Sequence, residues 1–285
     1  AQFTGSIRLD GKELLGLNER QLCALRGNRM AMVFQEPMSA LNPVHSIGRQ
    51  VTEPLRLHMG LSLAQARAHA TELLERVGIA QAAQRLDEYP HQFSGGQRQR
   101  IMIAMALACG PDLLVADEPT TALDVTVQQR ILDLLQELVA EHSMALVLIS
   151  HDLGVIAQNA EQLLVMYGGT VVESGMTEAV FKRRAHPYTR GLFAARPQLN
   201  MTGANQHLPT IAGTVPELVD LPAGCPFAGR CSYTQDDCYR LPPPPLTLDA
   251  PSCAAPASLS SWRQPHIVRC LHEEVLQAPP AGGQA

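Results

Sequence analysis

Two adjacent carboxylates, Asp117 and Glu118, directly follow the apolar run at residues 113–116. A run of this length, closed by Pro119, predicts a strand buried on both faces of a parallel sheet. Ligands of such sheets bind beyond the carboxyl ends of the strands, where both acids would emerge. Unpaired carboxylates are costly to bury, so the pair indicates a site for a cation or a reacting proton. The alternative is an ordinary strand followed by a solvated turn.

A second candidate site is the segment Ser94, Gly95, Gly96 and Gln97, which precedes an almost wholly apolar stretch at residues 101–109. Ser94 is a good N-cap, and the glycines let a ligand approach the backbone closely. The apolar stretch is too short to span a membrane and predicts a buried helix. Free amides at the start of that helix would form an anion site. The alternative is a glycine-rich loop that opens an ordinary helix.

His151 follows a second apolar run, at residues 145–150, which also predicts a buried strand. A histidine at the carboxyl end of a neighbouring parallel strand can share a crevice with Glu118. A lone histidine in this place is more often a structural residue. The order of the surrounding motifs favours the functional interpretation.

Taken in order, these segments resemble the ATP-hydrolysing subunits of ABC transporters. The resemblance implies an α/β P-loop NTPase core with a helical subdomain. The matching motifs are the Q-loop glutamine Gln35 after the strand at 30–34, the signature motif at 93–97 with Phe93 in place of the commoner leucine, Walker B at 113–118, the D-loop at Leu123 and Asp124, and the switch histidine His151.

The resemblance also implies a role for each residue. Asp117 would hold Mg2+, and Glu118 would polarise the water that attacks the γ-phosphate of ATP. His151 would contact that phosphate and help to order the water. The implied nucleotide-binding residues are Gln35 near the metal, Ser94, Gly95, Gly96 and Gln97 toward nucleotide held by the opposite subunit, and Asp124.

The chain lacks the phosphate-cradling motif G-x-x-x-x-G-K-[ST] that such proteins need. The segment from Gly5 to Gly11, Lys12 and Glu13 has five intervening residues, and a glutamate where a hydroxyl is required. The chain also begins at Ala1 rather than at a methionine. We therefore expect an N-terminally truncated subunit, without its first strand and phosphate loop, that binds ATP weakly and hydrolyses little of it alone.

Composition favours a soluble, cytoplasmic protein. The chain has 285 residues with 46% hydrophobic content, enough for a large core. A net charge of −5 gives no electrostatic basis for binding nucleic acid. Neither a membrane-spanning run nor a signal peptide is visible. We expect peripheral attachment at the cytoplasmic face of the inner membrane, through a partner.

The pattern of the chain predicts four regions. Residues 1–45 form short strands and loops of a partial nucleotide core, and residues 46–109 form the helical subdomain. Residues 110–196 return to a RecA-like core, and residues 197–285 form a loop-rich tail rich in proline and cysteine. The second region lacks the long coiled-coil arms of DNA-repair ATPases, and the single set of motifs differs from two-cassette translation factors.

Two segments resemble importers of dipeptides and oligopeptides and their nickel-importing relatives. They are residues 35–43 and the His186-Pro-Tyr-Thr sequence with Leu192. The resemblance implies an identical or paralogous second ATPase subunit, two permease subunits docked on residues 36–48, and a solute-binding protein that acts indirectly. The alternatives are an importer of nickel or another small solute, and a degenerate or regulatory subunit.

Five of the seven cysteines follow residue 224. In a cytosolic protein such clustering favours metal or redox chemistry over disulfides, although zinc sites usually have closer cysteine pairs. The pattern resembles the tail of peptide-importer ATPases, where four cysteines hold a [4Fe-4S] cluster with a structural role. The implied ligands are Cys225, Cys231, Cys238 and Cys270, with Cys253 as an alternative fourth ligand. Zinc and free thiols are the alternatives to a cluster.

Overall fold

The protein is described by a computed structural model that covers residues 4–36, 40–120, 125–196, 210–248 and 265–277. Asp124 and Cys253 lie outside the described residues. The chain divides into two compact units, Ala1–His151 and Asp152–Ala285. Among the described residues, none of the helices combines the length and apolar character needed to cross a membrane.

Within the described ranges, the strands form three separate sheets. They are β1 (Arg8–Leu9), β2 (Lys12–Glu13), β3 (Met30–Val33), β4 (Leu113–Asp117), β5 (Ala145–Ile149), β6 (Gln162–Tyr167), β7 (Thr170–Met176), β8 (Pro245–Leu248) and β9 (His266–Arg269). The first sheet pairs β1 with β2, the second has the order β3-β4-β5, and the third has the order β6-β7-β9-β8.

Helices occur in both units of the chain. They are α1 (Glu19–Leu25), α2 (Ile47–His58), α3 (Leu63–Arg76), α4 (Ala82–Arg85), α5 (Gly95–Leu107), α6 (Val125–His142), α7 (Leu153–Asn159), α8 (Thr177–Arg183), α9 (Pro187–Ala194) and α10 (Glu273–Gln277). Short 3-10 turns occur at Pro90–Gln92 and, in the tail, at Leu218–Asp220, Ala228–Arg230 and Asp236–Tyr239.

The sheet β3-β4-β5 is parallel throughout and places three predicted site residues at one edge. Val115 of β4 pairs with Met32 of β3 on one side and with Val147 of β5 on the other. The chain leaves all three strands in the same direction, so the segments that follow them meet beyond their carboxyl ends. Motifs that are far apart in the sequence are thereby brought close together in space.

Burial of this sheet differs from the sequence-based expectation. Val33, Leu114 and Ala116 are buried in the core formed with the helices of the first unit. On the opposite face Phe34 is 51% exposed and Val147 is 48% exposed. The run at 145–150, predicted to form a buried strand, is covered on only one face by the part of the chain that the structure describes, so that prediction is wrong for β5.

Three helices within residues 46–109 begin at capped residues. Ser46, Ser62 and Ser94 cap α2, α3 and α5, each by accepting a hydrogen bond from the amide three residues later. Close packing in this region relies on Gly48, because a Cβ there would lie 2.7 Å from the backbone oxygen of Leu86. These features fix the start of α5, which carries the predicted signature segment.

Helix α1 interrupts a region that the sequence pattern predicts as strands and loops. Asn18 and Gln21 form a capping box, in which each side chain accepts a hydrogen bond from the other residue's amide. The helix has no buried residue, so it lacks the apolar periodicity on which sequence-based assignment depends.

The loop-rich tail contributes two strands to the antiparallel sheet of the second unit. Strand β9 pairs with β7 through Glu173 and Val268, and β8 pairs with β9. Val268 and Leu248 pack with Ala185 and Leu276 in a small apolar core. The tail thus shares a sheet with the segment that precedes it.

Candidate functional site

Glu118 lies between two other residues predicted for the site. Its Oε2 accepts a hydrogen bond from Gln35 Nε2 at 2.9 Å, and its Oε1 lies 3.1 Å from His151 Nδ1. The Glu118 side chain is 22% exposed, whereas His151 is largely exposed. One carboxylate therefore joins the segments after β3, β4 and β5, and it remains accessible to water and ligands.

The backbone at Glu118 adopts a conformation that non-glycine residues rarely occupy. Its φ is +44°, and its amide donates to the carbonyl of Ile149 at 3.0 Å. Left-handed backbone at a residue with a Cβ costs about 1–3 kcal/mol and is concentrated at functional sites. The hydrogen bond to β5 holds the carboxylate at the sheet edge in spite of this cost.

Asp117 ends β4 and pairs with Ile149 of β5. It is half-buried at the carboxyl end of the strand, next to Glu118. Carboxylate oxygens are preferred Mg2+ ligands in nucleotide sites. Its position is consistent with the predicted metal ligand.

Gln99 supports the site but was not singled out from the sequence. Its side chain is buried within α5, and Nε2 donates to the carbonyl of Pro119 at 2.6 Å. This bond connects the signature helix to the turn after Glu118. A glutamine two residues before an almost wholly apolar stretch was the available signal, because buried polar side chains require a partner.

Ser94 and Gln97 form a capping box at the start of α5. The Gln97 side chain accepts from the Ser94 amide at 3.0 Å, while Ser94 Oγ accepts from the Gln97 amide at 3.4 Å. Within the described part of the chain, no hydrogen bond joins Ser94 to Gln35, Glu118 or His151. The structure therefore places the predicted signature residues at a helix start, outside the group centred on Glu118.

The second unit brings four predicted cysteines to one pocket. All four are free thiols, and Cys238 is buried while the others are half-buried. The pocket is lined by Cys225, Cys231, Cys238 and Cys270 together with His186, Phe227, Tyr233 and His272. The structure thus groups Cys270 with the three closely spaced cysteines.

Backbone pairing creates part of this pocket. The amide of Cys225 donates to the carbonyl of Cys238 at 2.8 Å, and that of Gly224 donates to Tyr239 at 3.1 Å. A Cβ on Gly224 would lie 2.3 Å from the Cys238 carbonyl oxygen. Glycine is therefore required for the approach that brings Cys225 beside Cys238.

The spacing of the sulfurs argues against a single ion held by these cysteines. A tetrahedral zinc with Zn–S bonds of about 2.3 Å places its sulfurs ~3.8 Å apart. No three of the four sulfur atoms lie within 4.8 Å of one another. A different group, Asp237, Cys238 and His272, meets that limit, but His272 Nε2 already contacts Asp237 Oδ1 at 3.2 Å.

Burial disfavours the thiolate form of three of the four pocket cysteines. It raises the pKa of Cys225 to about 11, with smaller contributions from Cys231, Cys270 and Cys238. Burial also raises the pKa of Cys231 and of Cys270. Reactive cysteines have lowered pKa values, so Cys225, Cys231 and Cys270 do not have the character of reactive cysteines.

Two family models match the chain. The model described as "ABC transporter" matches residues 2–121, and "Oligopeptide/dipeptide transporter, C-terminal region" matches residues 172–238. A peptide import ATP-binding protein of Brucella melitensis is 50% identical over 283 residues, covering 96% of this chain and 80% of the relative. The chain belongs to the ATP-binding subunits of ABC transporters. The family predicted from the motif order is confirmed.

Other relatives and solved structures agree with this ABC assignment. A peptide import ATP-binding protein of Brucella abortus is 51% identical over 248 residues, covering 87% of this chain and 74% of the relative. The ATP-binding cassette MJ0796, solved as a dimer in a post-hydrolysis state bound to ADP and Pi, aligns with a TM-score of 0.55 and 30% identity. That alignment covers 61% of this chain and 74% of MJ0796.

A second structural match is cbiO1 of Clostridium perfringens, part of the ABC transporter complex cbiONQ. It has a TM-score of 0.54 and 27% identity, and covers 64% of this chain and 69% of cbiO1. These neighbours, with the parallel sheet and its helices, confirm the predicted α/β P-loop NTPase fold class.

Proposed function

We propose that the chain energises import of di- or oligopeptides, at the cytoplasmic face of the cell membrane, by ATP hydrolysis. The observation that carries this proposal is the combination, in one chain, of the ABC model with the oligopeptide/dipeptide C-terminal model. The named relatives are peptide import ATP-binding proteins. This chain aligns with 80% of one of them and 74% of the other.

In this proposal Glu118 is the group that accepts a proton from the attacking water. The contacts with Gln35 and His151 hold its carboxylate at the sheet edge. A positioned carboxylate within hydrogen-bond reach of water suits general-base catalysis. Bound Mg2+, held by Asp117, would neutralise phosphate charge, and His151 would help to orient the water.

The chain's residues fit the hydrolytic side of an ATP site, whereas no G-x-x-x-x-G-K-[ST] segment is present in the sequence. We assign Ser94, Gly95, Gly96 and Gln97 to nucleotide held by a second ATPase subunit, identical or paralogous. Their position at the start of α5 supports this role, because free amides there favour an anion. Asp124 is assigned to the same subunit interface on sequence alone.

We assign residues 36–48 to the surface that docks on the permease subunits. Buried Gln50 holds the loop, since its Nε2 donates to the carbonyls of Asn42 at 3.0 Å and His45 at 2.9 Å. Val44 is 74% exposed on this loop. Residues 37–39 of this segment lie outside the described residues. An apolar side chain displayed on the described part, residues 40–48, is suited to contact another protein.

Changing Val44→Asp should reduce peptide uptake at least several-fold while leaving the amount of folded subunit unchanged. The charge would be buried on docking, which is costly unless it is paired. Val219→Asp is the matched control, because Val219 is equally apolar and exposed but lies in the second unit. Equal uptake by both variants would remove residues 36–48 from the docking surface.

The four pocket cysteines are proposed to hold a [4Fe-4S] cluster. Free thiols lining one pocket, with sulfurs too far apart for a single ion, support this assignment. Clusters of this type are ligated by four cysteine thiolates. Its contribution would be structural, tying Cys270, just after β9, to the loop that carries the other three ligands.

Iron and sulfide analysis of anaerobically prepared protein tests the cluster. We expect four irons and four sulfides per chain, with absorbance near 400 nm. A Cys253→Ser variant is the control and should load normally, whereas Cys270→Ser should not. Zinc in place of iron, or neither metal, would contradict the cluster.

Disruption of the gene that encodes this chain tests the transport proposal. We expect loss of uptake of labelled di- and oligopeptides, restored when the gene is returned. Nickel uptake, measured in the same cells, should be unaffected. Loss of nickel uptake with normal peptide uptake would contradict the proposal and favour the related nickel importers, and unchanged uptake of both would favour a regulatory subunit.

A further inference from the structure

His186 is a buried polar residue on the wall of the cysteine pocket that the proposed function leaves without a role. Its side chain is only 2% exposed, and its ring lies 5.9 Å from that of Phe227 on the same wall. A buried imidazole requires hydrogen-bond partners for its ring nitrogens. Among the described residues, Nδ1 of His186 has a hydrogen-bond partner and Nε2 has none.

Nδ1 of His186 is occupied by the start of helix α9. It accepts a hydrogen bond from the Tyr188 amide at 3.1 Å, and so caps the helix. A neutral imidazole that accepts at one nitrogen carries its hydrogen on the other. Burial lowers the pKa of His186 to about 4, opposed by Glu173 and assisted by Arg190, so the ring is neutral at ordinary pH. Nε2 therefore carries an N–H donor.

That donor has no partner among the described residues. The hydrogen bonds of His186 are those of its backbone and of Nδ1. Nε2 is not among the fully buried unpartnered side-chain atoms of the described residues, so it retains some accessible surface. The ring is a wall of the pocket formed by the four cysteines, so a sulfur-bearing group in that pocket would supply an acceptor.

We propose that His186 Nε2–H donates a hydrogen bond to a sulfur of the group held by the four cysteines, and thereby raises its reduction potential. This inference rests on the proposed [4Fe-4S] cluster. Hydrogen bonds to cluster sulfurs stabilise the more negative, reduced form, and they are one of the protein's means of setting the potential.

A buried carboxylate holds His186 in this position. Glu173 is 1% exposed and accepts hydrogen bonds from the amides of Ala185 at 2.8 Å and His186 at 2.9 Å. Its Oε1 also lies 2.8 Å from His266 Nε2. Because His266 is the first residue of β9 and Cys270 directly follows that strand, the network fixes the donor and one cluster ligand together.

The test compares His186→Asn with the unmodified protein. Asparagine is a good N-cap and retains an oxygen acceptor for the Tyr188 amide, but its shorter side chain withdraws the donor from the pocket. Tyr188→Phe is the control: it alters the same helix start, and its hydroxyl is not on the pocket wall. The readouts are iron content and the reduction potential, measured by redox titration followed by electron paramagnetic resonance.

We expect full iron content in all three proteins and a more negative potential in His186→Asn alone. A tenfold change in the reduction equilibrium corresponds to about 59 mV for a one-electron couple. A loaded His186→Asn cluster with an unchanged potential would overturn the inference and leave the cluster proposal intact. Absence of iron from the unmodified protein would overturn both.

If His186→Asn does not fold or does not take up iron, a second measurement tests the proposed hydrogen bond. Pulsed electron paramagnetic resonance on the reduced protein labelled with 15N-histidine should show weak coupling from one nitrogen and from an exchangeable proton. The protein carries His272→Gln in this measurement, because His272 also lines the pocket. Strong coupling would identify histidine as a direct ligand and overturn the inference. Loss of all histidine coupling would overturn it as well.

Discussion

The two candidate sites are assembled in opposite ways. Glu118, Gln35 and His151 meet because they follow adjacent parallel strands, and they lie at an open sheet edge. The cysteine pocket depends on loops held by backbone pairing, together with a buried polar network centred on Glu173. We infer that single substitutions at the first site affect chemistry more than stability, and that the reverse holds at the second.

The largest effect on stability is expected for Glu173→Ala. Burial alone would raise the pKa of Glu173, but hydrogen bonds from His266 and from the amides of His186 and Ala185 lower it below its ordinary value. Removing the carboxylate leaves these donors buried and unpaired, at a cost of about 3–5 kcal/mol. Denaturant unfolding of the metal-free chain measures this cost.

Glu173→Gln is the matched control, because it retains one carbonyl acceptor. We expect Glu173→Gln to lower the free energy of unfolding by less than Glu173→Ala does. If Glu173→Ala costs no more than a typical surface substitution, within about 0.5 kcal/mol, the buried network does not hold the second site and the comparison fails.

Acid should destabilise the second unit through His186. The pKa of the folded residue is about 4, below its ordinary value of 6.5, so the unfolded chain takes up a proton first as the pH falls. Above pH 6.5 the neutral His186 therefore costs the folded protein nothing in stability. As the pH falls from 6.5 to 4, the free energy of unfolding decreases by a total of about 3 kcal/mol.

Unfolding of the metal-free protein at several pH values measures this effect. Between pH 6.5 and 4, His186→Asn should reduce the slope of the free energy of unfolding against pH by up to about 1.4 kcal/mol per pH unit. Identical slopes for the variant and the unmodified protein would show that burial of His186 does not govern acid stability.

Gly224→Ala tests the backbone pairing that brings Cys225 beside Cys238. The added Cβ would meet backbone atoms of Cys238, Arg240 and Leu241, none of which can move without the chain. We expect a loss of about 1–3 kcal/mol and reduced iron loading. Gly229→Ala is the control, since a Cβ there meets nothing within 4 Å. Normal loading of Gly224→Ala would contradict the role of this pairing.

The site at Glu118 and the cysteine pocket also differ in how much of each could be predicted from the sequence. Motif order predicts Gln35, Glu118 and His151 because the carboxyl ends of parallel strands lie at the same edge. The cysteine spacing predicts the grouping of Cys225, Cys231 and Cys238. The roles of Asp117, of the signature residues, and of Asp124, which lies outside the described residues, remain predictions.

Other features depend on contacts between distant residues and could not be predicted. Glu173 is separated from its partner His266 by much of the tail, and nothing in their local patterns links them. Helix α1 is held by a capping box rather than by an apolar face. The exposure of β5 depends on which elements cover the sheet, and a strand's own sequence does not specify them.

The central claim is that Glu118 is the catalytic carboxylate of a peptide-importing ATPase. The most direct test is peptide-dependent ATP turnover by the complete transporter, assembled with Glu118→Gln and with Glu137→Gln as an exposed control. The account predicts a fall of about 10²–10⁴-fold for Glu118→Gln, and normal turnover for the control. Unchanged turnover in Glu118→Gln would contradict it.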